Sequence, residues 1–163
     1  LGGASFFPHA TFILTKEVYE VYQKPKLKDL VFKEFLPADF EKRLTVIKAN
    51  QRYSNFPYRP ICDLFGDGSI LVSSVDGHAR GQACMYFPEL NLLIAADLCW
   101  GIDLLPYTKQ MHLIPSFVQD NKTDYIRGAE FLEEVLKDGI KVVVSHDPVE
   151  RIESILHEKN NLS

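Results

Sequence analysis

Three side chains able to take a metal cation stand where apolar runs of this chain give out. His78 follows the run Ser69–Val75 within Asp76-Gly77-His78-Ala79-Arg80-Gly81-Gln82, Asp97 follows Leu93-Ile94-Ala95-Ala96, and His146 follows Val142-Val143-Val144-Ser145. A strand that ends in a tight turn fixes the direction of an imidazole or carboxylate beyond it, because the backbone behind cannot drift. Gly77 and Gly81 let the chain bend sharply around His78, so that its ring can point back across the strand end. A carboxylate at Asp97 is costly to desolvate unless a cation or hydrogen-bond donors stand nearby. Two imidazoles and a carboxylate suit Zn, Fe or Mn. Taken singly, His78 reads equally as a surface turn residue and His146 as a satisfied histidine near a helix start. Together with Asp97 they read as half of a metal site. His9 in a loop, and His112 and His157 on helical stretches, have no such setting.

The elements that must hold these residues follow from periodicity and punctuation. The pattern predicts a strand over 11–14, then a helix from Thr15, with Thr15 as its cap, Glu17 in its first turn and Val18, Tyr19 and Tyr22 on one side. Leu27, Leu30, Val31 and Phe35 repeat at helical spacing between Pro25 and Pro37. A short strand is expected over 44–49, and a polar, aromatic loop over 50–60. From Ile61 the pattern becomes β: strand, Gly66-Asp67-Gly68 turn, strand to Val75, then a second pair over 83–87 and 92–96. The stretch 104–118 is apolar and partly helical, broken by Pro106 and Pro115. A clear helix covers 124–137, closed by Asp138-Gly139. Residues 140–144 form a β-branched buried strand, and Asp147 with Pro148 opens a last helix to about residue 159. One domain with a largely antiparallel sheet and outer helices is the natural arrangement.

Composition narrows the partners. The 163 residues, 46% of them hydrophobic, suffice for one domain with a substantial core. The net charge of -4, from 18 basic and 22 acidic residues, is spread without a basic stripe, which argues against nucleic acid and leaves small-molecule or protein partners as the default. No apolar run reaches the ~20 residues of a membrane helix. Cys62, Cys84 and Cys99 are odd in number, lack CxxC spacing and lie in or beside apolar segments, so they read as buried thiols of a reducing compartment, the cytoplasm. Cys99, two residues past Asp97, is read as a core thiol rather than a ligand. The opening Gly2-Gly3 reads as a stop whose preceding element lies outside the chain.

The order strand, Gly77-His78-Ala79-Arg80-Gly81, hairpin, Ala96-Asp97, long insertion, strand, Ser145-His146-Asp147 resembles the metallo-β-lactamase superfamily, in particular its N-acyl homoserine lactonase-like branch. Leu1-Gly2-Gly3, Phe7-Pro8 and Thr15-Lys16-Glu17 look like the segment after that family's HxHxDH motif. The resemblance implies an α+β fold, the αββα sandwich, with 1–163 as the C-terminal portion of a single such domain. It assigns His78, Asp97 and His146 as metal ligands, with Asp97 the bridging, catalytic carboxylate of two Zn ions in the complete protein, Mn or Fe being alternatives. HxHxDH itself does not occur in the sequence, and Gln82 stands where the GHxxGH form ends in histidine.

The activity so implied is hydrolysis of an ester, lactone or thioester carbonyl by metal-activated water, this segment alone being inactive. Asp147 would orient a ligand or cap the last helix, and Trp100, with Tyr107, Met111 and Phe117, would form an apolar substrate wall or, equally, pack in the core. Trp100 stands where lactonases of the family place a tyrosine. A complementary segment or a homo-oligomer is expected to complete the sandwich. The alternative is a metal-free or degenerate member that serves as a binding or interaction module.

Overall fold

The computed structural model describes residues 3–26, 29, 31–108 and 122–157. Strands β1 (Phe12–Thr15) and β2 (Leu44–Ile47) pair in parallel as a separate two-stranded sheet. A six-stranded sheet follows, in the order β3 (Gln51–Tyr53), β4 (Phe56–Asp63), β5 (Leu71–Val75), β6 (Gln82–Phe87), β7 (Leu92–Ile94), β8 (Lys141–Val143). Its pairings are antiparallel except β7 with β8, which run parallel at one edge. Helices α1 (Lys16–Gln23), α2 (Leu105–Thr108), α3 (Lys122–Lys137) and α4 (Val149–His157) complete an α+β fold.

The core lies between one face of the larger sheet and α3. Tyr125, Ala129, Leu132 and Val135, spaced four, three and three apart, form the buried stripe of α3 and are each 1% exposed or less. They meet Ile61, Leu71, Val75, Cys84, Leu93, Ala95, Val142 and Val144 from successive strands, every second residue of each pointing the same way. A fully buried Leu or Val side chain contributes about 1.5–3 kcal/mol, so this stripe decides that α3 stays on the sheet. The helix stops where expected: Ile140 N–H donates to the Val135 carbonyl at 3.2 Å and Gly139 N–H to that of Leu136 at 3.0 Å. A smaller aromatic cluster, Phe12, Tyr22 and Phe40, holds α1 against β1, with the Arg43 guanidinium over the Phe12 ring.

Two stretches differ from the sequence expectation. Residues 50–60, expected as a loop, contribute β3 and most of β4. Pro57 and Pro60 fall in the bulged stretch between the paired residues Phe56 and Ile61, where a missing N–H breaks no ladder bond. Phe56, fully buried and stacked on Tyr86, anchors that strand. The helical spacing over 27–36 yields 3-10 turns and no α-helix among its described residues: Asp29 lies in one turn, and Lys33–Phe35 form another. A short amphipathic stretch between two prolines is marginal as a helix without a face to bury, and Phe32 and Phe35 are instead exposed and packed on each other. Of 104–118, the described part carries a 3-10 turn over Ile102–Leu104 and α2, whereas Met111, His112 and Phe117 lie outside the described residues.

The turn from β5 to β6, which carries His78, is gripped from two sides. A Cβ at Gly77 would stand 2.7 Å from the Tyr125 Cα, and one at Gly81 would stand 2.4 Å from the Glu17 Cβ and 2.9 Å from the Thr15 Oγ1. Both glycines have positive φ, +141° and +74°. The Thr15 hydroxyl donates to the Gly81 carbonyl at 2.7 Å while accepting from Val18 N–H at 3.3 Å, so one side chain caps α1 and ties down the turn. Asp76 accepts from Gly81 N–H at 2.7 Å, and Glu17 from the Ser74 hydroxyl at 2.9 Å.

Gly66 provides a control, since its φ is +77° but nothing lies within 4 Å of a Cβ built there. Gly66→Ala should therefore cost only the backbone penalty, about 1 kcal/mol, and Gly81→Ala that penalty plus overpacking, about 3 kcal/mol or more, measured by denaturant unfolding. Equal losses for the two variants would contradict the clamp.

Candidate functional site

The ends of β5, β7 and β8 bring His78, Asp97 and His146 together. The His78 Nε2 lies 3.9 Å from Asp97 Oδ2, and the His146 Nε2 lies 3.5 Å from Asp97 Oδ1. Each imidazole thus faces a different oxygen of one carboxylate. Donors about 2.0–2.1 Å from a tetrahedral ion stand about 3.4 Å apart, so both separations approach those of donors sharing an ion. Among the described residues no group of three or more His, Cys, Asp or Glu side chains is close enough to hold one ion together. The donor chemistry fits a metal as two histidine–carboxylate pairs joined at Asp97, not as a closed three-ligand set.

The backbone explains how Asp97 comes to face both rings. The ladder between β7 and β8 continues past the last strand residues: Ala95 N–H donates to the Val143 carbonyl at 2.8 Å and Ser145 N–H to that of Ala96 at 2.9 Å. Ala96 then takes φ +47°, in the left-handed region, which turns the chain sharply just before Asp97. An alanine held there by two flanking strands stores about 1–2 kcal/mol of local strain at the residue that positions the carboxylate.

His146 is aimed from the side by Asp147. The Asp147 side chain is 1% exposed and accepts from Val144 N–H at 3.0 Å, Ile102 N–H at 3.0 Å and Arg151 Nη1 at 2.6 Å. It thereby fastens three segments: the end of β8, the loop that follows Asp97, and α4. The expected helix cap takes another form, since α4 begins at Val149 and the carboxylate reaches it through the Arg151 side chain rather than the first helical amides.

Around these groups the surroundings are mixed. Cys99 is fully buried, its thiol pushed up chiefly by that burial and directed to the Gly101 carbonyl at 3.5 Å. Cys84 is pushed up to about 12 by burial. Both thiols are directed to backbone carbonyls inside the core, Cys84 to that of Ala95 and Cys99 to that of Gly101, whereas the imidazoles and the carboxylate are partly exposed. Trp100 is 43% exposed in the loop after Asp97, and Tyr107 is exposed on α2. A groove of about 740 Å³ between β4 and α3 is lined by Tyr58, Arg59, Glu130 and Phe131, and none of the three donors borders it. His157 ends α4 and His9 lies exposed in a turn.

Three residues important here escaped the sequence reading. Thr15 and Glu17 were legible as a helix cap and a first-turn acid, with no sign that they also hold the His78 turn. Tyr125 was legible as an apolar position on α3. Its side chain is 1% exposed, its hydroxyl is buried without a hydrogen-bond partner among the described residues, and burial first, then Cys99 and Asp97, push its pKa up to about 12.

Replacing Asp147 by Ala should lower stability by about 3 kcal/mol or more, because it leaves two amides without their acceptor and takes from the Arg151 guanidinium its ion pair, as urea unfolding would register. At position 96, Gly should raise the melting temperature or leave it unchanged, whereas Val should cost about 2 kcal/mol or more, since a β-branched residue resists positive φ.

No protein-family model matches the chain, and no curated protein matches it. Solved structures do. A quorum-quenching N-acyl homoserine lactone hydrolase superposes with a TM-score of 0.62 at 16% identity, covering 94% of this chain and 55% of its own. A dizinc quorum-quenching lactonase in complex with an N-hexanoyl-L-homoserine product gives 0.60 at 15% identity, covering 88% and 50%. A third, an N-acyl homoserine lactone hydrolase with such a product bound at its catalytic metal centre, gives 0.55 at 14%, covering 87% and 48%. The chain spans about half the length of the solved structures it matches.

Proposed function

We propose that this chain, which has the metallo-β-lactamase fold of the N-acyl homoserine lactonases across about half their length, carries one part of the metal centre of a hydrolase. The observation behind this reading is the pair of imidazoles facing opposite oxygens of Asp97, at 3.9 and 3.5 Å. His78 with Asp97 Oδ2 would hold one ion, and His146 with Asp97 Oδ1 a second, Zn being the first choice and Mn or Fe taking the same donors. Bound there, the ions supply a water activated at neutral pH and a Lewis acid for the substrate carbonyl. Two protein donors per ion are fewer than a closed shell needs, so a complementary segment or a second copy of the chain supplies the others. In this reading residues 1–163 are the C-terminal portion of a single domain.

The residues of this chain have distinct tasks. Asp97 joins the two halves of the centre and fixes their spacing. Asp147 keeps the loop of His146 in place through its bonds to Val144, Ile102 and Arg151. Trp100, exposed three residues beyond Asp97, offers an apolar surface to the substrate, a small ester, lactone or thioester. A lactone is favoured by the homoserine products in the neighbouring structures. Three free thiols are in keeping with the cytoplasm, and no helix among the described residues is long and apolar enough to cross a membrane.

One observation favours a second reading, a degenerate member that binds without turning over. No three donors form one group among the described residues, and Gln82 donates its amide to the Ala95 carbonyl at 3.2 Å where the motif would carry another histidine.

Elemental analysis after reconstitution with Zn or Mn separates the two. The hydrolase reading expects about two ions per complete protein, loss of the bridged pair in Asp97→Ala, and unchanged content in His157→Ala. Metal content near zero, or equal effects of the two substitutions, would favour the degenerate module.

A further inference from the structure

Helix α4 is held to the sheet mainly by polar contacts. None of its nine residues is buried, and Val149 and Leu156 are 64% and 55% exposed, so the apolar burial that keeps α3 in place contributes far less here. Arg151 Nη1 donates to the Val142 carbonyl at 2.9 Å and to Asp147 Oδ2 at 2.6 Å, and Lys141 Nζ donates to the Ile155 carbonyl at 3.4 Å. The Arg151 side chain is 23% exposed and that of Asp147 1%, which makes their contact a largely desolvated, charge-assisted pair.

That pair sits where the loops of two donors meet. Asp147 gives its two oxygens to different segments: Oδ1 accepts from Ile102 N–H in the loop after Asp97, and Oδ2 from Val144 N–H at the end of β8, each at 3.0 Å. His146 stands on the short turn so closed, since Asp147 N–H also donates to the Val144 carbonyl at 3.2 Å. The last torsion of an aspartate is broad and two-fold, so two amide bonds alone hold the carboxylate plane loosely. Arg151 tightens it, because the guanidinium that grips Oδ2 is itself anchored to Val142 on the same strand.

We propose that Arg151 is a positioning residue for the donors, fixing the plane of the Asp147 carboxylate and, through it, the placement of the His146 turn against the loop of Asp97. The inference rests on the reading of Asp97 and His146 as metal ligands, and Arg151 itself touches neither ion nor substrate. Helix α4 thereby acts as a strap: docked, it keeps both loops together, and detached, it releases them together. Loss of such a group behind a ligand typically lowers metal affinity about 10–100-fold.

The test is Arg151→Met, which keeps an apolar stem and removes the donors. In the metal-free protein, amide exchange at Ile102 and Val144 should quicken about 10-fold or more relative to Leu132 and Val135 of α3, and the His146 ring resonances should move while those of His9 stay. Zinc affinity by chelator competition should fall about 10–100-fold. Arg151→Lys, which retains a charged donor, should recover part of it, and it carries the same comparisons should the Met variant fail to fold. Arg127→Met, which breaks the exposed pair with Asp124 on α3, should leave zinc affinity unchanged. Unchanged relative exchange with unmoved His146 resonances, or zinc affinity equal to that of the wild type, would overturn the proposal and leave Arg151 as an anchor of α4 alone. If the wild-type protein bound no zinc, the hydrolase reading would fall, and exchange and ring resonances in the metal-free protein would by themselves decide whether Arg151 positions the His146 turn.

Discussion

The turn between β5 and β6 is trapped between the starts of two helices, and most of the molecule is arranged around that close approach. Gly81 lies against the cap and first turn of α1, and Gly77 against the backbone of α3, at distances no side chain permits. Since α1 follows β1 directly, the same contact fastens the two-stranded sheet to the larger one. Thr15 serves both purposes with one hydroxyl, capping a helix and holding the carbonyl of Gly81. The buried stripe of α3 supplies the opposing force: Ala129, Leu132 and Val135 can bury themselves only if the first turn of the helix lies on Gly77. The direction of His78 is thus a by-product of packing that would be needed even without a site.

A different device sets the other two donors. Asp97 and His146 leave neighbouring parallel strands at the same level, so they emerge side by side with no helix to guide them. Backbone strain at Ala96 turns one of them, and a buried carboxylate fixes the other. The site therefore depends on three local solutions, steric at His78, conformational at Asp97 and electrostatic at His146, which converge on one carboxylate.

The position of His78, Asp97 and His146 at strand ends was legible because that signal is local: a polar residue at the end of an apolar run needs no knowledge of the fold. The amphipathic α3 and its stop were legible for the same reason, as was the Thr15 cap. The hairpin of β3 and β4 was hidden because Pro57 and Pro60 argue against a strand, and only the bulge of β4, which appears once it pairs with β3, excuses them. The stretch 27–36 misled in the opposite way, since helical spacing promises a helix only if a surface exists to receive its face. Tyr125 was placed correctly on α3, but the burial of its hydroxyl without a partner among the described residues depends on what packs over it, and no local pattern carries that information.

That parallel edge also bears on the order in which the chain assembles. β7 and β8 are joined by a crossover running from Ala95 to Ile140, which contains α2 and α3. Such a pairing forms only after a long loop has closed, and loop closure of this kind is slow because its entropy is lost before any contact is gained. The antiparallel hairpins β3 to β7 are local and can form without it. β8 therefore docks late, and with it His146, so that the donor pair at Asp97 reports on completion of the fold. A ligand that held Asp97 and His146 together would act as a clasp on that closure and resist the first step of its reopening.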